Sequence, residues 1–144
     1  MLVRASNWLT VAAVLTLAGC GSQSSTSSGK KIPHIRAITS MYATATSALG
    51  GPPADEAQFK AEIEKIKPEL DVLDVSSIDE LFVSDRDGQP LVIVYGKDRK
   101  GAVPEVVAYE QAGKDGIRLV GNRNGQVVEA DAAQFANLVP SAKP

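Results

Sequence analysis

Cys20 is the only cysteine of this chain, and it closes the run Leu17-Ala18-Gly19-Cys20. A thiolate can attack, ligate a metal or carry an acyl group, so Cys20 has the widest chemistry on offer. His34 is the only histidine. A metal site needs three or four ligands, and no Asp or Glu stands at ligand spacing from it. Asp85-Arg86-Asp87-Gly88 begins like a calcium loop, but the ligand series breaks off and Gly96 occupies the place of the closing glutamate. Turn chemistry is the simpler reading. Two carboxylate pairs, Glu129 with Asp131 and Asp71 with Asp74, could do acid–base work only if a cleft gathered them. Both sit in turn-like contexts, which predicts a solvated surface. The serines crowd into residues 22–28, and no G-x-S-x-G elbow exists. Gly113-Lys114-Asp115-Gly116 lies between two strand-like runs, where a phosphate-cradling loop does not belong. The inventory predicts a non-enzymatic protein with no catalytic residue, no metal site and no cofactor.

Charge narrows the partners. The formal charge is −2, which offers no field for nucleic acid. Lys97, Arg99 and Lys100 make the one basic cluster. Three charges at about 1 kcal/mol each near an anionic surface are a weak supplement to any membrane anchor, so the cluster reads as a solvated loop.

The N-terminus is the most specific segment. Arg4 precedes an apolar run from Trp8 to Ala18. As a helix that run reaches about 17 Å, against a hydrocarbon core of about 30 Å. It is too short to span a bilayer and long enough to engage an export channel. A charged start, an apolar middle and small residues before a cleavage point make a secretory signal. Leu17-Ala18-Gly19-Cys20 resembles the lipobox of bacterial lipoproteins. Without that resemblance, the same run reads as a plain cleaved signal or a short membrane anchor.

The resemblance implies that the Cys20 thiol receives a diacylglyceryl group. It also implies cleavage between Gly19 and Cys20 and acylation of the new amine. Several acyl chains give stable anchoring where one does not. A thioether at Cys20 leaves no thiol in the mature chain, which removes disulfides, cysteine nucleophiles and thiolate metal sites. The exported domain is then held by its core alone, in a compartment where many small domains use disulfides. Loss of residues 1–19 takes away Arg4 and moves the formal charge from −2 to −3. Gly21, where lipoproteins retained in the inner membrane often carry Asp, points toward the outer membrane. Residues 21–30 are a Ser/Gly tether with nothing apolar to bury, and ten such residues have an r.m.s. reach of roughly 17–19 Å.

The elements that follow must position whatever the domain presents. Ile35, Ile38, Tyr42, Ala45 and Leu49 step by three and four residues and predict a helix with one apolar stripe. Pro33 suits its first turn, Gly50-Gly51 its end, and Pro52-Pro53 an extended link. A second helix opens at Asp55, with Gln58 completing a capping-box-like pair. It buries Phe59, Ile63 and Ile66, carries a Glu56–Lys60 pair in the favourable order, and ends at Pro68. Leu70, Leu73 and Val75 predict an irregular connection docked on the core. Ser77-Ile78-Asp79-Glu80 reads as a capped short turn.

The period then changes to that of strands. Leu81–Ser84 reads as a short strand, and Leu91–Tyr95, a continuous β-branched run, as a central one. After a polar loop, Glu105–Gln111 and Ile117–Gly121 are strands joined by the Gly113–Gly116 turn. Asn124-Gly125 is a tight-turn dipeptide, and Gln126–Glu129 pairs back. Asp131 caps a final helix through Phe135 and Leu138, ended by Pro140. Asp55-Glu56-Ala57-Gln58-Phe59 echoes Asp131-Ala132-Ala133-Gln134-Phe135, which shared helix-start chemistry explains better than a repeat. His34 is expected to be exposed at the tether junction, and the three tyrosines at core edges with hydroxyls outward.

The predicted fold is α+β: two N-terminal helices packed on a four- to five-stranded antiparallel meander, with a short C-terminal helix. The organisation is a signal peptide over 1–19, the lipidated Cys20 and tether over 20–30, and one small domain over 31–144. The body resembles small bacterial lipoproteins that join a helical start to a β-meander. In architecture alone it resembles the soluble part of pseudopilins, which instead keep a long apolar N-terminal helix. The function these readings imply is that of an envelope lipoprotein, held in the outer membrane facing the periplasm, that binds an envelope protein. The alternative is a small-ligand-binding module, which needs a concave apolar pocket. Cys20→Ala is expected to move the protein from the membrane fraction to the soluble fraction of cells. An unchanged membrane fraction would refute lipidation as the anchor.

Overall fold

The computed structural model describes residues 32–96 and 105–140. Cys20, the tether, the Lys97–Lys100 cluster and Pro104 lie outside the described residues. Helices α1 (His34–Leu49), α2 (Glu56–Ile66) and the one-turn α3 (Leu70–Leu73) come first, followed by a 3-10 helix at Asp79–Phe82. Strands β1 (Val92–Ile93), β2 (Val106–Tyr109), β3 (Arg118–Asn122) and β4 (Val127–Ala130) precede α4 (Ala132–Leu138). The sheet order is β1-β2-β3-β4, with every neighbour antiparallel. The class is therefore α+β, with a four-stranded meander among the described residues.

Local chemistry starts and stops the helices. The Pro33 carbonyl accepts from Arg36 N–H at 2.9 Å and Ala37 N–H at 3.2 Å, which puts Pro33 just ahead of the first turn. Gly50 ends α1 at φ 70°, the left-handed conformation that glycine adopts without strain. Asp55 accepts from Gln58 N–H at 2.9 Å, and the Gln58 side chain accepts from Ala54 N–H at 2.7 Å. At α4, Asp131 accepts from Gln134 N–H at 2.8 Å and donates its own N–H to the Gln134 side chain at 3.1 Å, which makes a full capping box. Phe59 and Phe135, each four residues past its capping Asp, are both buried. The two echoing segments thus share a helix-start mechanism.

The sheet is covered on both faces. On one, α1 lies across β2, β3 and β4, while α2 packs against α1. Ile35, Ile38, Tyr42, Phe59, Ile63, Leu81, Val107 and Leu119 fill this core. Phe59 is its centre, with edge-on contacts to Tyr42 at 5.3 Å, Phe82 at 5.8 Å and Tyr95 at 6.5 Å. On the other face, Val94, Val106, Val120 and Ala130 pack with Phe135 and Val139 at α4. The register shifts between Val106 and Ala108, and Val107 and Ala108 both serve the α1 side.

Two strand-level expectations change, and with them one about a tyrosine. Leu81–Ser84 is no strand: Leu81 lies in the 3-10 helix, and only Val83 makes a bridge, to Pro90. Its acidic start explains this, because the Glu80 carboxylate reaches back to Ser76 N–H at 2.7 Å and closes a local turn. Leu91–Tyr95 is not central. Val92 and Ile93 pair with β2 at the edge of the sheet, and Val94 N–H adds one bond to the Val107 carbonyl at 2.8 Å. Beyond them the helical layer takes over: the Val94 carbonyl accepts from the Tyr42 hydroxyl at 2.8 Å, and Gly96 N–H donates to the Pro53 carbonyl at 2.9 Å. The Tyr42 hydroxyl accordingly points inward. A buried hydroxyl needs a partner, and this carbonyl supplies it.

The turns follow residue chemistry. Lys114 and Ile117 exchange two bonds of 2.9 Å around Asp115 and Gly116, at φ 55° and 79°. That is the primed hairpin turn, which needs positive φ at both central residues. Gly121 has another role. Thr39 of α1 sits directly over it, and a β-carbon at Gly121 would run into the Thr39 hydroxyl and methyl. That hydroxyl is itself held by the Ile35 carbonyl at 2.6 Å. Gly121→Ala is expected to cost about 1–3 kcal/mol, the usual range for overpacking a core. Adding Thr39→Ala should recover part of the loss. Urea denaturation of the two single variants and the double variant measures both effects, and a Gly121→Ala protein as stable as wild type would refute the close packing.

Candidate functional site

The Asp85–Gly88 turn is pinned from three sides. Ser84 and Gln89 close it, with Ser84 N–H donating to the Gln89 carbonyl at 2.8 Å and Gly88 N–H to the Ser84 carbonyl at 2.9 Å. Asp87 accepts from Gln89 N–H at 2.9 Å and from Gly113 N–H at 2.7 Å, which ties the turn to the β2–β3 hairpin. Burial by itself would raise the Asp87 pKa. The Gln89 and Gly113 donors outweigh it and hold the carboxyl below its ordinary range. Asp85 accepts from His34 N–H at 3.1 Å, which ties the turn to the start of α1.

His34 is only 7% exposed, contrary to its expected place in solvent. Its Nδ1 lies 2.7 Å from the Val83 carbonyl. A carbonyl only accepts, so Nδ1 carries the proton. The first turn of α1 folds down onto the 83–90 segment, and His34 locks the two together. Its Nε2 is buried without a hydrogen-bond partner among the described residues.

Glu110 stands beneath the turn, just past β2, and is 1% exposed. One carboxylate oxygen accepts from the Ser84 hydroxyl at 2.9 Å. The other accepts from Arg86 at 3.2 Å and from Leu119 N–H at 2.8 Å. The charge is thus paired and fully hydrogen-bonded, the condition for keeping a carboxylate out of water. Glu110 N–H donates to the Leu119 carbonyl at 3.1 Å, so the carboxylate takes the Leu119 N–H in place of an ordinary ladder bond. Sequence reasoning missed Glu110. Its signal is the alternation Ala108–Glu110, which puts a carboxylate on the inward face of an apolar strand.

A cleft of about 730 Å³ opens above Arg86, between the start of α1 and the β3–β4 side of the sheet. Leu119 and Val127 form its floor, Ile32 and Pro33 one end, and Arg36, Arg86 and Glu129 its charged walls. The β3–β4 register sets this composition: Leu119 faces Glu129 and Gly121 faces Val127, all on the α1 side. Arg86 spends one N–H on Glu110, and none of its others is buried without a partner. Five donors on a planar fork leave ample capacity for a ligand. Glu110 fixes where that fork sits. The Arg36 and Glu129 side chains make no hydrogen bond or ion pair among the described residues.

The pairs Glu129 with Asp131 and Asp71 with Asp74 are not gathered in one cleft. Asp131 caps α4 while Glu129 faces the cleft. Asp71 and Asp74 are exposed around α3. Among the described residues no three His, Asp or Glu side chains gather at metal-binding range. The Ser84 hydroxyl is buried on Glu110 and does not line the cleft. The arrangement can bind through an apolar floor and two guanidinium groups. Comparison with protein-family models, curated proteins and solved structures finds no match to this chain.

Glu110→Ala is expected to cost about 3–5 kcal/mol, the range for removing one partner of a buried ion pair. It leaves Arg86, Ser84 and the Leu119 N–H without their acceptor. Glu110→Gln keeps the shape and should fall between that variant and wild type. Urea midpoints of the three proteins test the order, and a fully stable Glu110→Ala protein would refute it.

Proposed function

We propose that this chain is an envelope lipoprotein, cleaved between Gly19 and Cys20 and anchored by acyl chains on Cys20. It faces the periplasm from the outer membrane, and its domain is a non-enzymatic module that binds another envelope protein. The observation that supports the binding role is the cleft, where Arg36 and Glu129 stand unmatched around an apolar floor. Unmatched charge at the rim of apolar surface steers and selects partners. Rigid support adds to the case, because the wall that carries Arg86 is fixed by the buried Glu110. No described helix is long and apolar enough to cross a membrane, so the proposed attachment rests on the N-terminal motif alone.

The cleft also favours a second reading, a small-ligand module, since its volume lies within the roughly 300–1,000 Å³ of ligand sites. In-cell crosslinking of the C-terminally tagged chain, with mass spectrometry of the membrane fraction, separates the two. One dominant envelope protein crosslinked beside the cleft is expected. No partner, with lipidated Cys20 intact, would transfer the site to a small ligand.

A further inference from the structure

We propose that the open edge of β4 is where the partner binds, as an extended segment that adds a fifth strand and places an acidic side chain against Arg36. The inference rests on the protein-binding reading above. It begins with the sheet order: β4 pairs only with β3, and its other side has no strand among the described residues.

The hydrogen-bond parity shows which groups are on offer. Both backbone groups of Leu119 turn toward Glu110, its N–H to the carboxylate and its carbonyl to the Glu110 N–H. Leu119 therefore faces β2, and its register partner Glu129 must face away from β3. Val127, two residues earlier and opposite Gly121, has the same orientation. Val127 and Glu129 thus present two N–H and two C=O groups outward, with no partner among the described residues. An incoming strand needs such a row, and strand addition draws its affinity from it.

The flanks define the occupant. Arg36 overhangs this edge, lining both the cleft with Val127 and Glu129 and a second hollow with Gly125, Gln126 and Val128. It has no acidic partner in the described residues, so a carboxylate on the α1 side of the added strand completes it. On the opposite face Val128 is 46% exposed and offers apolar contact to the alternate side chains. The occupant is an extended segment of another protein, with an acidic residue facing α1 and apolar residues facing Val128. A second copy, paired antiparallel about Val128 with Glu129 opposite Val127, is the rival occupant, and protection of these amides in the purified chain alone would reveal it.

A photo-crosslinking residue in place of Val128 in the full chain, with one in place of Val72 as control, tests this in cells. The capture is repeated with Glu129→Pro and with Arg36→Glu. The Glu129 N–H lies outside the ladder, so proline is tolerated there while removing one outward donor. Capture at position 128 and not at 72, reduced at least ten-fold by each substitution, is the expected result. Should Glu129→Pro fail a thermal-melt check, Arg36→Glu and hydrogen exchange still decide. In exchange, the captured segment, made as a peptide, should slow the Val127 and Glu129 amides at least ten-fold in the purified lipidated chain.

Capture that ignores both substitutions, or occurs only at position 72, overturns the edge and leaves the protein-binding reading intact. Amides already protected in the purified chain alone also overturn it, since the edge is then covered by this chain's own segment or a second copy. Capture of nothing from either position, with lipidation intact, defeats both readings.

Discussion

A carboxylate taken out of water sets the geometry of this domain. Glu110 is buried at the end of a strand, and each of its oxygens must find donors or the fold pays several kcal/mol. Ser84, Arg86 and the Leu119 N–H supply them. Two of those donors belong to a turn far from Glu110 in sequence, so the turn must dock where the carboxylate is. Once docked, it carries Asp87 to Gly113 and Asp85 to His34. The start of α1 is therefore placed by a charge it does not touch. The cleft, bounded by α1, Arg86 and β4, inherits its shape from the same requirement.

A second constraint fixes the height of α1 above the sheet. Thr39 fits only because Gly121 has no side chain, and this close approach lets Ile35 and Ile38 reach the core. The irregularity in β2 turns Val107 and Ala108 to the same side and thickens that core where α1 crosses. Tyr42 then satisfies the Val94 carbonyl just past β1. At the other end of the sheet, the β4 edge has no strand among the described residues and lies beneath Arg36.

What could be read from sequence divides along the range of the interaction involved. Asp55–Gln58, Asp131–Gln134, Gly50 and the Asn124-Gly125 turn were legible because their partners lie within five residues. The apolar stripe of α1 was legible from Ile35 to Ala45 because helical spacing alone selects a buried face, while Leu49 at its end is exposed. Leu91–Tyr95 misled because β-branched residues fit an edge covered by helices as well as a central strand. His34 and Glu110 were illegible as anchors. Their partners stand 49 and 26 residues away, at Val83 and Ser84, and no local pattern announces such pairs. The cleft depends on both, so its existence was hidden, although Glu129 on its wall had been noticed for its carboxylate.

Coverage of the sheet on both faces has a consequence for recognition. With α1 and α2 on one side and α4 on the other, the apolar interior is spent on stability. At the β4 margin, outward backbone groups and unmatched charges meet. Ile32 and Pro33, the first described residues, line that margin themselves. Under the proposed anchoring, the tether therefore leaves the domain beside the cleft, and a reach of roughly 17–19 Å keeps that end nearest the membrane. A partner held in the same membrane then meets the β4 edge at a high effective concentration, which lets a short strand with few hydrogen bonds suffice. Weak edge contacts joined to the proposed lipid anchor would give attachment that is selective and reversible, because neither alone supplies both location and identity.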